Sequence, residues 1–520
     1  MDTKALRQKV LDLAIRGKLV PQDPNDEPAS VLLERIRQQK QQMVKEGKLK
    51  AKDIKNDTVI FVGEDNLHYE KFADGSVKCI EDEIPFDLPD GWAWARIATA
   101  CIVNPRNSLP DDMDVSFIPM PLISDGYANS HSAETRKWKD IKSGFTHFSE
   151  NDIGIAKITP CFENRKSTVF KDLSNRYGAG TTELHILRTI VNTVLPEYLL
   201  WIVKTDNFIQ RGIQTFSGAV GQQRVGKEFV SQYLVPVPPH EEQVKIVAKL
   251  GEIFGIVTSV EQAKGELQSS IKGLKLKILN LAIRGQLVPQ DPADEPASVL
   301  LERIRAEKEE LIKQGKIKRD KKESVIFKGD DNSYYEKIGN KVEKIDDEIP
   351  FDLPNGWTWC RFSEVIELFS GQDLTPDKYS DIPQGIPYIT GASNLENGCV
   401  IVNRWTSSAT THVTIGDLLL TVKGSGIGKM AICDIADAHI ARQIMALRCR
   451  NGIMQEYLRI VISAFLTEIT DQANGIIPGI RREVVLGTLF PLPPSSEQLK
   501  ISAKANCIIA ILQMIEKGLS

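Results

Sequence analysis

Residues 13–37 read LAIRGKLVPQDPNDEPASVLLERIR, and residues 281–305 read LAIRGQLVPQDPADEPASVLLERIR. Only Lys18/Gln286 and Asn25/Ala293 differ, so the fold must hold two nearly identical copies of one supersecondary unit. The register continues to Gly47-Lys48 and Gly315-Lys316. It resumes at Val59-Ile60-Phe61 and Val325-Ile326-Phe327, then at DEIPFDLPDGWAW from Asp82 and DEIPFDLPNGWTW from Asp347. Beyond Trp94 and Trp359 the likeness largely collapses. It returns on the far side of each divergent block, where Val235 to Gln243 matches Phe490 to Gln498.

The first return leads into a long periodic stretch. Ile246, Ile253, Val260, Leu267, Leu274 and Leu281 recur every seventh residue, and Leu250, Val257, Lys264, Ile271 and Ile278 form a second series. Two apolar positions per heptad, broken by one lysine, predict a coiled-coil helix over about 240–285. Glu241 and Glu242 suit its N-terminal end, and Gly285 with Pro289 marks its stop. At about 1.5 Å per residue it would reach roughly 65 Å. The same pattern opens at about Ser496 and runs to the end of the chain, with Ile501, Ile508 and Ile515 in one series and Ala505, Leu512 and Leu519 in the other. Leu6, Val10 and Leu13 match Leu274, Ile278 and Leu281. The repeat is therefore circular. Segments 496–520 and 2–17 together supply one copy of the central helix, and we expect them to pack antiparallel to it.

The expected class is α/β, with a circular pseudo-two-fold repeat. Residues 1–90 form an N-terminal helical repeat segment, 91–237 a first mixed α/β block, and 238–355 a central helical spacer and linker. Residues 356–492 form a second mixed block and 493–520 a C-terminal helix. Runs such as Ile153-Gly154-Ile155-Ala156 and Leu418 to Val422 predict strands inside the blocks; 197–209 and 454–469 predict helices. The charged runs 48–57 and 316–323 read as solvated helix ends or linkers. The eight cysteines form no C-x-x-C pair and the seven histidines no H-x-x-x-H cluster, so neither a disulfide framework nor a zinc site is expected. The N-terminus lacks the pattern of a signal peptide and no apolar run could span a bilayer, so a cytoplasmic protein is expected. A net charge of −4 is low for a free-standing nucleic-acid binder. Any DNA binding would need local basic patches or a partner's charge.

This layout resembles the DNA-specificity subunit of type I restriction–modification systems. The resemblance is carried by two divergent blocks, each closed by V-P-V-P-P-x-x-E-Q or F-P-L-P-P-x-x-E-Q before a long helix. It is carried also by the L-A-I-R-G-x-L-V-P-Q-D-P repeat, and by the runs Asp152 to Lys166 and Asp417 to Lys429. It covers essentially the whole chain. It implies that each block is a target-recognition domain reading one half of a split, asymmetric double-stranded DNA site. The helices would set the spacer and dock two adenine-methyltransferase (modification) subunits, with restriction/translocase subunits added. S-adenosylmethionine, ATP and Mg would belong to those partners, with no cofactor in this chain.

Candidate DNA contacts follow from Gly-rich turns, which bring backbone N–H groups and short polar side chains close to phosphates, and from Arg, Asn and Gln, which pair with base edges. In the first block these are Lys157, Thr159, Asn164, Arg165 and Lys166, with Ser217, Gln222, Gln223 and Arg224 near its end. In the second they are Lys423, Ser425, Lys429, Arg442 and Gln443, with Asn474, Arg481 and Arg482 near its end. Candidate docking residues are the polar positions identical in the two repeats: Arg16, Gln22, Asp23 and Glu27, and Arg284, Gln290, Asp291 and Glu295. Recent duplication or shared helix packing would also keep them identical.

Catalytic motifs are not assembled. Gly424-Ser425-Gly426-Ile427-Gly428-Lys429 fails the P-loop spacing, because Lys423 stands where the first glycine belongs and Met430 replaces Ser/Thr. No Asp/Asn-Pro-Pro-aromatic sequence of an amino-methyltransferase occurs. His185 and His439 read as core or surface histidines, and Trp92, Trp94, Trp357 and Trp359 as anchors of each block on its linker. Two other readings stay open: a coiled-coil scaffold or adaptor presenting two protein-binding domains, and an enzyme with its site in one block.

Overall fold

The computed structural model describes residues 2–519 except 220, 318–322, 397, 425 and 472–478. The chain divides into two compact units, Met1–Ala263 and Lys264–Ser520. Among the described residues no helix is long and apolar enough to cross a membrane.

In the first unit, helices Thr3–Ile15 and Ala29–Lys45 precede a three-stranded antiparallel meander of Val59–Val62, His68–Lys71 and Val77–Cys79. Strand Ala93–Arg96 then pairs antiparallel with Leu234–Val237, so the block between them enters and leaves on one strand pair. Inside the block lie two four-stranded sheets. One runs Ser167–Val169, Ile153–Ala156, Leu184–Thr189, Cys101–Val103, with every neighbour antiparallel. The other runs Glu134–Lys137, Asp114–Ile118, Tyr177–Gly180, Thr146–Ser149, and its middle pair is parallel. Helices Pro196–Val203, Asp206–Ile213 and Lys227–Gln232 complete the block.

The second unit repeats this order. Helix Ala297–Lys313 precedes a meander of Ser324–Lys328, Tyr334–Ile338 and Lys341–Lys344. Strand Thr358–Arg361 pairs with Leu489–Leu492. One sheet runs Ile366–Ser370, Ile444–Cys449, Leu418–Thr421, Met430–Ile432, the same order and sense as its counterpart. In the other, Ala438–Ile440 lies parallel to Ile386–Ile389 and antiparallel to His412–Val413. Two blocks with little sequence in common thus share one core topology, to which the second adds an edge strand, Tyr379–Ser380, and a hairpin of Leu395–Glu396 with Cys399–Val400. The meanders, by contrast, stand where the sequence pattern suggested only helix and linker. Their strands are three to five residues long and mostly exposed, too short for alternation to register.

The repeat phrases have local physical reasons. Helix Thr3–Ile15 is closed by Gly17 and the long helix His240–Ile283 by Gly285, both in the left-handed region at φ +65° and +66°. Lys18 N–H donates to Leu13 O at 2.8 Å and Gln286 N–H to Leu281 O at 2.9 Å. A Cβ at either glycine would strike a proline ring, Pro89 at 2.4 Å or Pro354 at 2.5 Å, so Gly serves both the turn and the packing. In the P-P-x-x-E-Q phrase, Trp92 Nε1 donates to Glu242 and Trp357 Nε1 to Glu497, each at 2.9 Å. Gln243 accepts from Leu195 N–H and Gln498 from Met454 N–H, tying each helix start to its own block. Trp92→Phe is expected to cost about 1–3 kcal/mol, because a buried carboxylate loses its donor; urea unfolding measures it.

The long helix departs from a strict heptad. In the first unit its buried line is Ile246, Leu250, Phe254 and Val257, the stripe of a straight helix with 3.6 residues per turn. In the second, Ile271, Leu279, Ala282 and Ile283 are buried. Val260, Leu267 and Leu274, expected in the seam, are 44, 42 and 47% exposed. Lys264 is half-buried. Within the first unit Arg7 grips Glu261 at 2.6 and 3.0 Å and Thr258 at 2.9 Å. Within the second, Lys275 pairs with Glu516 at 2.5 Å. These are matching positions of the circular repeat.

Candidate nucleic-acid interface

In the first block, the strand Ile153–Ala156 delivers Lys157, Ile158 and Thr159 to a seam with 223–225. Thr159 N–H donates to Gln223 O at 3.0 Å, and Val225 N–H to Lys157 O at 2.8 Å. Ser217 bridges Arg224. The two sequence clusters, some sixty residues apart in the chain, therefore meet. In the second block Val422 N–H donates to Gln443 O at 2.8 Å, Ile480 N–H to Val422 O at 2.9 Å, and Lys423 bridges Gly479. Lys429 Nζ reaches Ala392 O at 3.3 Å. Lys423, Lys429, Arg442, Gln443, Arg481 and Arg482 are all exposed. Ser425 and Asn474 lie outside the described residues.

These bonds sharpen the register between blocks. Val422 takes the place of Lys157, and Lys423 that of Ile158. The two lysines are thus one residue out of step, which on a strand turns the side chain to the opposite face.

Several candidates already have intramolecular partners. Arg165 is buried at 8% exposure: its Nε donates to Lys204 O at 3.1 Å and its Nη2 binds Asp206. Asn164 is exposed, Lys166, Thr159 and Lys157 half-buried, Gln222 exposed and Gln223 half-buried. Arg442 pairs with Asp373 at 3.2 Å in the open, and Arg482 donates to Leu368 O at 2.5 Å. Arg224 is held by Glu183, whose carboxyl its hydrogen bonds keep below the usual range.

The candidate docking residues also have internal partners, repeated in each unit. The Arg16 guanidinium lies 4.5 Å over Phe86 and that of Arg284 4.3 Å over Phe351. Gln22 donates to Gly17 O and Gln290 to Gly285 O. Asp23 accepts from Asn25 N–H and Asp291 from Ala293 N–H. Glu27 pairs with Arg35, and Glu295 with Arg303. Their identity therefore has a packing reason within each copy.

Sequence reasoning missed the charged supports. Asp152 and Arg188 pair at 2.7 Å, and Asp417 and Arg448 pair at 2.7 Å in the matching place. Burial pushes the Asp152 carboxyl up. The D-I-G-I and D-L-L-L openings of the two runs were the available signal, but the partner arginine can be assigned only from the sheet. His185 Nε2 donates to Val225 O at 3.0 Å, and His439 sits between Thr411 O and Gln372 O; burial lowers both imidazoles. Strands Leu418–Thr421 and Met430–Ile432 pair antiparallel, and Gly424, Gly426, Gly428 and Lys429 lie in the chain between them.

Lys204 is fully buried, donating to Gly126 O at 2.8 Å and Arg165 O at 3.0 Å. Burial, with Arg165 alongside, lowers its ammonium from 10.5 to about 7. Between about 7 and 10.5 the unfolded chain keeps a proton that the folded chain has released, so stability rises with pH there. Thermal melting from pH 7 to 9 is expected to show this rise, and Lys204→Met to lack it.

Two modules of one topology, each framed by a strand pair and tied to the start of a long helix, define a two-module mixed α/β protein. No family model matches the chain. It is 34% identical over 561 residues to the type I restriction enzyme EcoAI specificity subunit of Escherichia coli, across 97% of this chain and 89% of that protein. It is 33% identical over 585 residues to the EcoEI specificity subunit of the same species, across 99% and 90%. A solved chain from work on complex assembly and conformational transition of the type I R-M system shares the fold, with TM-score 0.60, 19% identity, and coverage of 84% of this chain and 94% of that one. The chain belongs to the type I restriction enzyme specificity subunits.

Proposed function

We propose that this chain is the non-catalytic reading subunit of a type I complex, each block binding one half of a bipartite, asymmetric duplex target. The observation that carries this is the pairing of one topology with two divergent sequences inside near-identical frames. Divergent surfaces on one scaffold read different bases, while identical frames suit two copies of one partner. The helices fix the spacer and dock two adenine-methyltransferase subunits, to which restriction subunits add. The exposed apolar residues Val260, Leu267 and Leu274 support docking on the helices. S-adenosylmethionine, ATP and Mg act on those partners, and the assembly works in the cytoplasm. With a net charge of −4, the partners supply much of the phosphate-neutralising charge.

The test is a gel shift of the purified chain with its modification subunit on duplexes of varied sequence. Sequence-dependent retention is expected; retention of no duplex in this way, with capture of other proteins instead, would favour an adaptor. Methylation of adenine by this chain alone would place a catalytic site in it. One heptad inserted beside Lys264 should lengthen the helix by ~10 Å at ~1.5 Å per residue. The spacer in the methylated motif is then expected to change, and an unchanged spacer argues against a ruler.

A further inference from the structure

The two blocks carry different chemistry at one shared position. The Asp152–Arg188 and Asp417–Arg448 pairs fix the alignment at one end of the matching sheets. At the other end, Lys157 N–H donates to Glu183 O at 3.0 Å and Val422 N–H to Gln443 O at 2.8 Å. Glu183 and Gln443 therefore stand in the same place, each just before the strand Leu184–Thr189 or Ile444–Cys449. The residue across the seam also matches. It is Arg224 in the first block, bridging Ile158, and Gly479 in the second, bridging Lys423. The first block thus has a carboxylate with a guanidinium, and the second an amide with no side chain opposite.

The guanidinium is oriented. Arg224 Nε donates to Glu183 Oε2 at 2.9 Å, Nη2 to Glu183 Oε1 at 2.8 Å, and Nη1 to Gln222 O at 2.8 Å. An arginine has five N–H groups. Three are used here, leaving one on each Nη, at the outer end of a half-exposed side chain. That fork matches the two acceptors of guanine in the major groove. A carboxylate alone at this place would repel DNA, and Arg224 offsets it.

The amide of Gln443 is exposed and makes no hydrogen bond among the described residues. Its Oε1 lies against Gly391, where a Cβ would come within 2.5 Å, so glycine leaves room for the side chain. A carboxamide offers one donor and one acceptor side by side, the complement of the adenine edge.

We propose that this shared position selects a base in each half-site, with Arg224, held by Glu183, contacting a guanine and Gln443 contacting an adenine. The inference rests on the reading of the blocks as DNA-reading modules. Arg224 and Gln443 are the contacting residues, and Glu183 is a positioning residue.

The experiment is modification of a randomised duplex library by the complete complex, with the methylated motifs sequenced. Arg224→Ala and Arg224→Lys are expected to lose preference for guanine at one position of one half-site by roughly 5- to 150-fold. The lysine variant, which keeps the charge but not the fork, should retain more binding. Glu183→Gln should weaken preference at that same position with thermal melting unchanged, a combination that a purely structural role would not give. Gln443→Ala should relax one adenine in the other half-site only. Variants that lower modification evenly, or alter both half-sites, overturn the assignment while leaving the bipartite reading intact. A wild-type complex with no bipartite motif overturns that reading itself, and this assignment with it.

Discussion

A chain whose first block is replaced by that of another specificity subunit is expected to methylate a hybrid site, with one half altered and the other retained. The exchange is physically reasonable because residues 92–237 are bounded by an antiparallel pair. Val237 stands opposite Ala93 and Leu234 opposite Arg96, so the chain enters and leaves at neighbouring points. Cutting just outside the pair carries both of its strands with the block. Glu242 and Gln243 stay behind, so an incoming block keeps the anchors if it brings a tryptophan at the place of Trp92 and a backbone N–H at the place of Leu195. The part most exposed to mismatch is the core that the block shares with the helices, where Leu11, Leu32 and Leu250 join Ile153 and Leu199 in one cluster. Sequencing the methylated motifs reads the outcome. A change in both halves, or in neither, would refute modular reading.

Arg188→Ala is expected to destabilise the first unit by about 3–5 kcal/mol, the scale for stranding a buried charge. Asp152 is 1% exposed and accepts from Arg188 Nε at 2.8 Å and Nη2 at 2.7 Å, and from Ser149 N–H at 2.7 Å. Without the arginine, the carboxylate must stay charged in a desolvated place or take up a proton. Burial already holds this carboxyl above its ordinary value. A folded state that binds a proton more readily than the unfolded chain loses stability as pH rises through the folded pKa. The variant's deficit should therefore be largest at neutral pH and shrink on acidification. Urea unfolding across that range tests it, and Asp152→Asn in the same background should recover part of the loss. A deficit that does not change with pH would show that Asp152 is not the source.

Much of the frame was legible in the sequence because duplicated segments announce themselves. The glycine after each helix, the Pro-Pro entry and the helix breaks all match local rules that need no tertiary information. The anchoring role of Trp92 and Trp357 was legible too, since each stands at a boundary between repeat and divergence. Less was legible inside the blocks. Lys157 and Lys423 read as one candidate position at the ends of matching strands, yet Lys157 is sixth in its run and Lys423 seventh, and backbone pairing keeps that one-residue offset. Arg165 sits among polar neighbours in a turn and reads as exposed, while the fold turns it inward to Lys204 O and Asp206. The heptad series predicted a continuous seam, but the buried line follows the 3.6-residue turn and leaves Leu267 and Leu274 out.

The sequence by itself determined that the chain is a circular repeat with two unlike inserts, because identity and helical periodicity are properties of one dimension. Only the tertiary structure decided that the inserts share one topology. Strand order and sense depend on contacts between residues far apart in the chain, which tolerate almost any apolar side chain. The same holds for Glu183 and Gln443: no local pattern links them, and only the sheets put them in one place.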